Sequence, residues 1–401
     1  MQQIIDNSLS NKIPAALQLA FRIFFLSGSL FCLIALLLWS TALFHDIGFV
    51  PYSGSYWWHS HEMVFGFSAA IIAGFLLTAV QNWTGIPSIK GTKLLLLFLL
   101  WISARILFIF PNLVPNIVIA ILDVAFFPMV AITLAYPVIK IQQWRNLVFV
   151  PVLLLFATEN ALFHYAVINE QLLLQRNVLW ASVFTVVLLV SIIGSRVIPF
   201  FTARGTGKEP KAKLLWLELL ANSGIALLVF YYLFGKPIVI NDTIIITILA
   251  VTLITQLIRQ SRWNIIYSFK EPLLWSLHLS FLFIPIGIVL LLLNRLGLTI
   301  SESHALHSFT VGTISGMILA MMARVSLGHT GRQLATVSPM ATAFALMILA
   351  ALVRSPISTL DIISATMSLS LSIGCFILAY GIFLWRYIPI LSKPRIDGRP
   401  G

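Results

Sequence analysis

The sequence predicts an all-α protein: a polytopic bundle of about twelve transmembrane helices, forming one integral membrane domain over residues 1–401. Three observations carry this. Of 401 residues, 59% are hydrophobic and only 9% charged, a balance that soluble chains of this size do not keep. The apolar residues fall into twelve runs of bilayer-crossing length. The basic residues between those runs are concentrated on one side.

The first run, about 17–44, is too long for the apolar core of a signal peptide and has no clear small-residue cleavage site, so it reads as a retained helix. The others follow at about 59–80, 92–110, 116–139, 147–166, 172–194, 213–234, 241–258, 271–294, 303–323, 337–353 and 360–386. The eleventh is the shortest and stops before Arg354-Ser355-Pro356. The one sizeable polar connection, Thr202 to Lys213, contains G-T-G-K-E but lacks the spacing of a phosphate loop. It reads as a connector. The two cysteines, Cys32 and Cys375, lie in apolar runs near opposite ends of the chain and read as packing residues.

Take the N-terminus and the even-numbered connections as one side. That side holds twenty of the 25 Lys and Arg; the other holds only Arg105, Arg176, Lys236, Arg295 and Arg354. This places both termini in the cytoplasm. The net charge of +12 is thereby explained as orientation next to membrane lipid, and no nucleic-acid partner is expected.

The stretch Ser55–Gly85 opens with S-Y-W-W-H-S-H-E-M and continues as an apolar run. Ionisable side chains at such a place call for a function and a partner. In the twelve-span topology six of eight histidines reach the outer side: His45, His59, His61, His164, His304 and His307. Imidazole is the commonest nitrogen ligand of haem iron and copper. His304 and His307 share a helix face, as do His59 and Glu62. His61 points roughly the other way, so one of the pair can face a haem and the other a copper or a proton path. His59, His61 and His307 are the expected ligands, with His304 as an additional metal candidate. Glu62, His164 and Trp58 are expected to support the ligands or carry protons, and Glu159 and Asn160 make a polar patch beside His164. The bland alternative for histidines and tryptophans at this depth is an interfacial belt. His278 reads as a core histidine. His329 reads as a loop or surface-contact residue on the inner side, and Gly312 and Gly316 as a close-packing pair.

Four motifs together resemble the NnrS family: W58-H-S-H-E-M-V-F-G-F67, G74-F-L-L-T-A-V-Q-N-W-T-G85, G194-S-R-V-I-P-F-F-T202, and the run from His307 to L-G-H-T-G-R332. The resemblance covers most of the chain. It implies a bacterial inner-membrane protein with haem and copper, tied to nitric oxide, nitrosative stress and denitrification. Carried over by position, the motif residues are Trp58, His59, His61, Glu62, Met63, Arg196, Pro199, Thr202, His307, Thr310, Gly312, His329 and Arg332. Gln81, Ser195 and His304 depart from the family pattern. The resemblance leaves open the electron donor and whether the protein is an enzyme. The alternatives are a redox enzyme that turns over nitric oxide or another nitrogen oxide, and a metal or small-anion transporter. Histidines on spans two and ten are also similar to the plan of the haem–copper oxidase catalytic subunit, but spans six and seven lack the histidines that hold copper there; this is a likeness of fold only.

Overall fold

The computed structural model describes residues 13–398 apart from 46 and 239. Lys12 and Arg399, both counted in the charge asymmetry, lie outside the described residues. No strand occurs among the described residues. Among the described residues twelve helices are long and apolar enough to cross a membrane: α1 Ala20–Phe44, α2 Ser55–Thr84, α3 Thr92–Ile109, α4 Asn116–Lys140, α5 Trp144–Ile168, α6 Leu172–Thr206, α7 Leu215–Gly235, α8 Asp242–Ser261, α9 Pro272–Arg295, α10 Glu302–His329, α11 Met340–Leu360 and α12 Ala365–Leu391.

Two helices outrun the sequence expectation. α6 continues twelve residues past 194, to Thr206. Its apolar residues persist through Phe201, and Pro199 deletes only one rung of the ladder. Thr202 and Thr206 return their hydroxyls to the carbonyls four residues back, at 2.8 and 2.7 Å. The polar connection therefore starts at Gly207, whose φ of +67° ends the helix. α10 likewise runs through His329, which makes this residue a helix terminus and not a loop residue.

The chain divides into two compact units. The first comprises Met1–Leu179, Arg324–Leu334 and Leu384–Gly401; the second comprises Trp180–Ala323 and Ala335–Phe383. In the first, α1 packs on α2, α2 and α3 on α4, and α4 on α5. The C-terminal segment closes the end at which α1 begins. Arg22 donates to the carbonyls of Leu391 and Lys393 at 2.9 and 2.7 Å, and Arg395 donates to the carbonyl of His329 at 2.8 Å. In the second unit α7, α8, α9, α10 and α11 each pack on the next. Apolar burial drives little helix association in lipid, so close packing and hydrogen bonds carry it. Gly312 is an example: a Cβ there would collide with Phe283 of α9. The Gly312/Gly316 pair thus serves helix approach.

Both motif-bearing helices contain a π-helical turn directly after a histidine, Glu62–Ser68 in α2 and Ser308–Ser315 in α10. Such wide turns gather at functional sites and loosen the backbone pairing. Side chains take up the carbonyls concerned. Ser68 bonds back to Met63 at 2.9 Å and Ser315 to Thr310 at 2.9 Å, each five residues away. The Trp101 indole N–H donates to the Gly66 carbonyl at 3.0 Å, and the Tyr380 hydroxyl to the Ser315 carbonyl at 2.8 Å.

The topology is directly checkable. A reporter fused to the C-terminus is expected to be active only in the cytoplasm, and reporters fused after residues 45 and 295 only outside it. A periplasmic C-terminus would remove the common depth assigned to the histidines.

Candidate functional site

Four helices of the first unit bring ionisable side chains to one depth. His61 and Glu62 lie near the start of α2, Arg105 near the end of α3, Asp123 near the start of α4, and Asn160 and His164 near the end of α5. At 1.5 Å per residue each stands roughly 6–12 Å inside its helix end. The antiparallel order of the helices makes these depths coincide. All six are buried, His61 and Glu62 completely.

The contacts form a continuous network. Arg105 bridges the two carboxylates: Nη1 lies 3.0 Å from Glu62 Oε1, and Nη2 donates to Asp123 Oδ1. His61 Nδ1 lies 3.0 Å from Glu62 Oε1 and its Nε2 2.9 Å from Asn160 Oδ1 and 3.2 Å from Asp123 Oδ2. Asn160 Nδ2 donates to Asp123 Oδ2 at 2.8 Å. His164 Nε2 lies 3.1 Å from the same oxygen, while its Nδ1 meets the Tyr52 hydroxyl at 3.0 Å. Burial, and then the Asp123 carboxylate, push the Tyr52 phenol above its ordinary range, which keeps it a donor.

These partners constrain the protons. Both ring nitrogens of His61 face acceptor oxygens, so each carries a hydrogen unless an ion stands in its place. His164 takes the opposite pattern, with Nδ1 accepting from Tyr52 and Nε2 donating to Asp123. With two carboxylates, one guanidinium and one imidazolium, the cluster is neutral. That balance is what makes so many buried charges tolerable.

The same cluster offers a metal site. His61, Asp123 and His164 each present a ligand atom, all within 4.8 Å of one another. Two imidazoles and a carboxylate suit copper or zinc. The remaining ring nitrogens are held by Glu62 and Tyr52, the outer partners that fix ligand orientation in metalloproteins. A macrocycle does not fit on His61, because Phe163, Phe108 and Phe65 cover its ring at centroid distances of 4.5, 4.6 and 4.9 Å.

The fold and this geometry can be set beside known families. The family model described as NnrS protein matches residues 15–395. The chain belongs to the NnrS family. Among curated proteins none matches it.

In this NnrS-family chain the other motif residues have separate surroundings. His59 is half-buried and stacks on Trp39, with centroids 3.9 Å apart and planes within 15°. Trp58 is fully buried, edge-on to Phe49 at 5.0 Å. His304 and His307 belong to the second unit, both half-buried. The His307 Nδ1–H donates to the Ser303 carbonyl at 2.6 Å, which leaves Nε2 as a lone-pair nitrogen, the form a metal requires. Arg196 lines a cavity at the C-terminal end of α6. His329 packs its ring near Phe21, at 5.5 Å, while Arg332 closes the turn with a backbone bond to Leu327. His278 shares a 2.9 Å hydrogen bond with Thr202 and is a satisfied core histidine.

Arg105, Asp123 and Tyr52 were not singled out by the sequence. A signal existed for two of them: a charge inside each of two neighbouring apolar runs, at matching depth and of opposite sign. His59 and His61 do meet different surroundings, His59 stacking on Trp39 and His61 reaching Asn160 and Asp123, while the neighbouring side chains of His61 and Glu62 bend together to a 3.0 Å contact.

Proposed function

We propose that this NnrS-family protein binds copper and haem in the bacterial inner membrane, with both termini cytoplasmic, and acts in the response to nitric oxide and in denitrification. The observation that supports the metal half of this reading is the buried donor set of His61 Nε2, Asp123 Oδ2 and His164 Nε2. Copper held there supplies one-electron exchange and an affinity for nitric oxide. The protein's own groups do the rest. Glu62 and Tyr52 hold the two rings, Arg105 holds both carboxylates, and Phe65, Phe108 and Phe163 keep water from the cluster. With an ion bound, His61 would give up its Nε2 proton and His164 would carry its proton on Nδ1 instead of Nε2, with the Tyr52 hydroxyl turning to accept it, so loading is tied to proton release. For haem, His307 and, beside it, His304 are the candidate nitrogen donors of the second unit, and His59 is a separate candidate in the first.

A second reading rests on the neutrality of the cluster without an ion. Tyr52, His164, Asp123, His61 and Glu62 make an unbroken chain of proton-exchanging groups. That is the equipment of a transporter, or of a membrane enzyme turning over a nitrogen oxide.

Purified protein separates these readings. Under the first, the wild type shows a Soret band and carries copper. His307→Ala is expected to lose or strongly shift the Soret band while keeping its copper, and His329→Ala to keep both. A colourless, copper-free wild type would favour transport. Haem loss in His329→Ala with none in His307→Ala would put the haem at the other membrane face.

A further inference from the structure

The inner end of the second unit contains a cavity of about 570 Å³, enclosed by the last turns of α6, the connection that follows it, the start of α7 and the end of α8. Six cations line it: Arg196, Arg204, Lys211, Lys213, Arg259 and Arg262. Only two carboxylates do so, Glu209 and Glu218. Positive-inside orientation explains why such residues lie at this end. It does not explain why they converge on a hollow.

Arg259 forms the floor. It is only 1% exposed, and its position is fixed from behind. Nη2 donates to Ser191 at 2.7 Å and to Gln256 at 2.6 Å, while its distance to the Glu218 carboxylate is a long 3.4 Å. The guanidinium also lies over the Trp263 and Phe281 rings, at 5.6 and 5.4 Å, and with Glu218 no nearer than 3.4 Å its charge is only partly compensated from within the protein. The wall has a different character. Phe200, Leu214 and Leu217 line it, Phe200 being 48% exposed, and just outside the cavity, between the two leucines, Leu215 and Trp216 are 73% and 53% exposed. On a membrane helix such side chains face acyl chains. The cavity therefore joins a cationic floor to a lipid-facing apolar rim.

We propose that this cavity binds the phosphate of an anionic phospholipid headgroup of the inner leaflet, with the acyl chains lying along the Phe200, Leu215 and Trp216 face. Forked guanidinium donors and flexible ammonium groups suit a phosphodiester, and basic hollows between membrane helices at this face recognise such headgroups. The inference does not depend on the metal reading.

The test is native mass spectrometry of the full-length protein released from nanodiscs of mixed phosphatidylglycerol and phosphatidylcholine. Wild type is expected to retain phosphatidylglycerol selectively. The exposed cations can be neutralised together in Arg204→Gln/Lys211→Gln/Lys213→Gln, and retention is then expected to fall by about a hundredfold. Lys93→Gln/Lys140→Gln/Lys393→Gln removes the same charge elsewhere on that face and is expected to change retention less than about threefold. An equal loss in both triple variants would reduce the effect to diffuse surface charge and overturn the pocket. Inorganic phosphate or pyrophosphate displacing the lipid at equal concentration would overturn the lipid as its occupant. The thermal midpoint of the wild type provides a readout that needs no variant: it should rise with phosphatidylglycerol and not with phosphatidylcholine. Equal effects of the two lipids would end the proposal.

Discussion

Replacing Arg105 with methionine is expected to remove most of the folded protein. The substitution keeps the stem of the side chain and deletes the charge that bridges Glu62 and Asp123. Two carboxylates would then face each other in a completely buried site with only His61 to offset them. Breaking a buried ion pair by removing one partner costs about 3–5 kcal/mol, against a total stability of about 5–15 kcal/mol. Size-exclusion of a fluorescent fusion, extracted in mild detergent, should show the monodisperse peak collapse. Arg105→Lys keeps the charge without the fork and should fall between wild type and methionine. Adding Glu62→Gln and Asp123→Asn to Arg105→Met should recover part of the peak, because the uncompensated charges are gone. An unchanged peak and thermal midpoint in Arg105→Met would show that this network does not hold the first unit together.

The second large effect concerns the ion. His164→Ala deletes one of three donors, and copper per protein is expected to fall to background. Tyr52→Phe touches no donor atom. It removes only the hydroxyl that meets His164 Nδ1, and outer partners of this kind typically contribute about 10–100-fold to metal affinity. Copper affinity in Tyr52→Phe, measured by competition with a chelator, should drop within that range while the protein stays folded. Neither variant should change the haem spectrum. If His164→Ala retains its full copper, the ion is bound elsewhere and the cluster is a proton or stability device.

Much of the architecture was legible in the sequence because hydropathy and charge asymmetry act over whole spans. All twelve apolar runs correspond to helices, and the histidine-bearing motifs were visible. Boundaries were harder. The end of α6 was missed because Arg196, Pro199 and Arg204 look like loop residues, whereas back-bonding threonines keep the helix going. The site was half legible. His61 and His164 stand out by their depth, Glu62 as a charge opening an apolar run, and Asn160 as part of the polar patch beside His164. Asp123 and Arg105 do not stand out, since each sits singly in an apolar run and only tertiary packing pairs them. The contact of His61 with Glu62 lies beyond a face-by-face reading, because neighbours about 100° apart on a helix meet only through how their side chains bend.

The bridge between Glu62 and Arg105 also bears on how the chain enters the bilayer. α2 emerges from the ribosome carrying a carboxylate that will be fully buried, and its cationic partner lies in the next helix, joined by the short connection 85–91. An isolated charge at membrane depth opposes insertion by a few kcal/mol. A nascent chain that has completed only α2 bears that cost alone. Once α3 follows, the antiparallel hairpin carries opposite charges at one level and can pass from the translocon to lipid as a pair. Asp123 in α4 then meets an arginine already in place, so the order of synthesis is also the order in which the buried charges become neutralised.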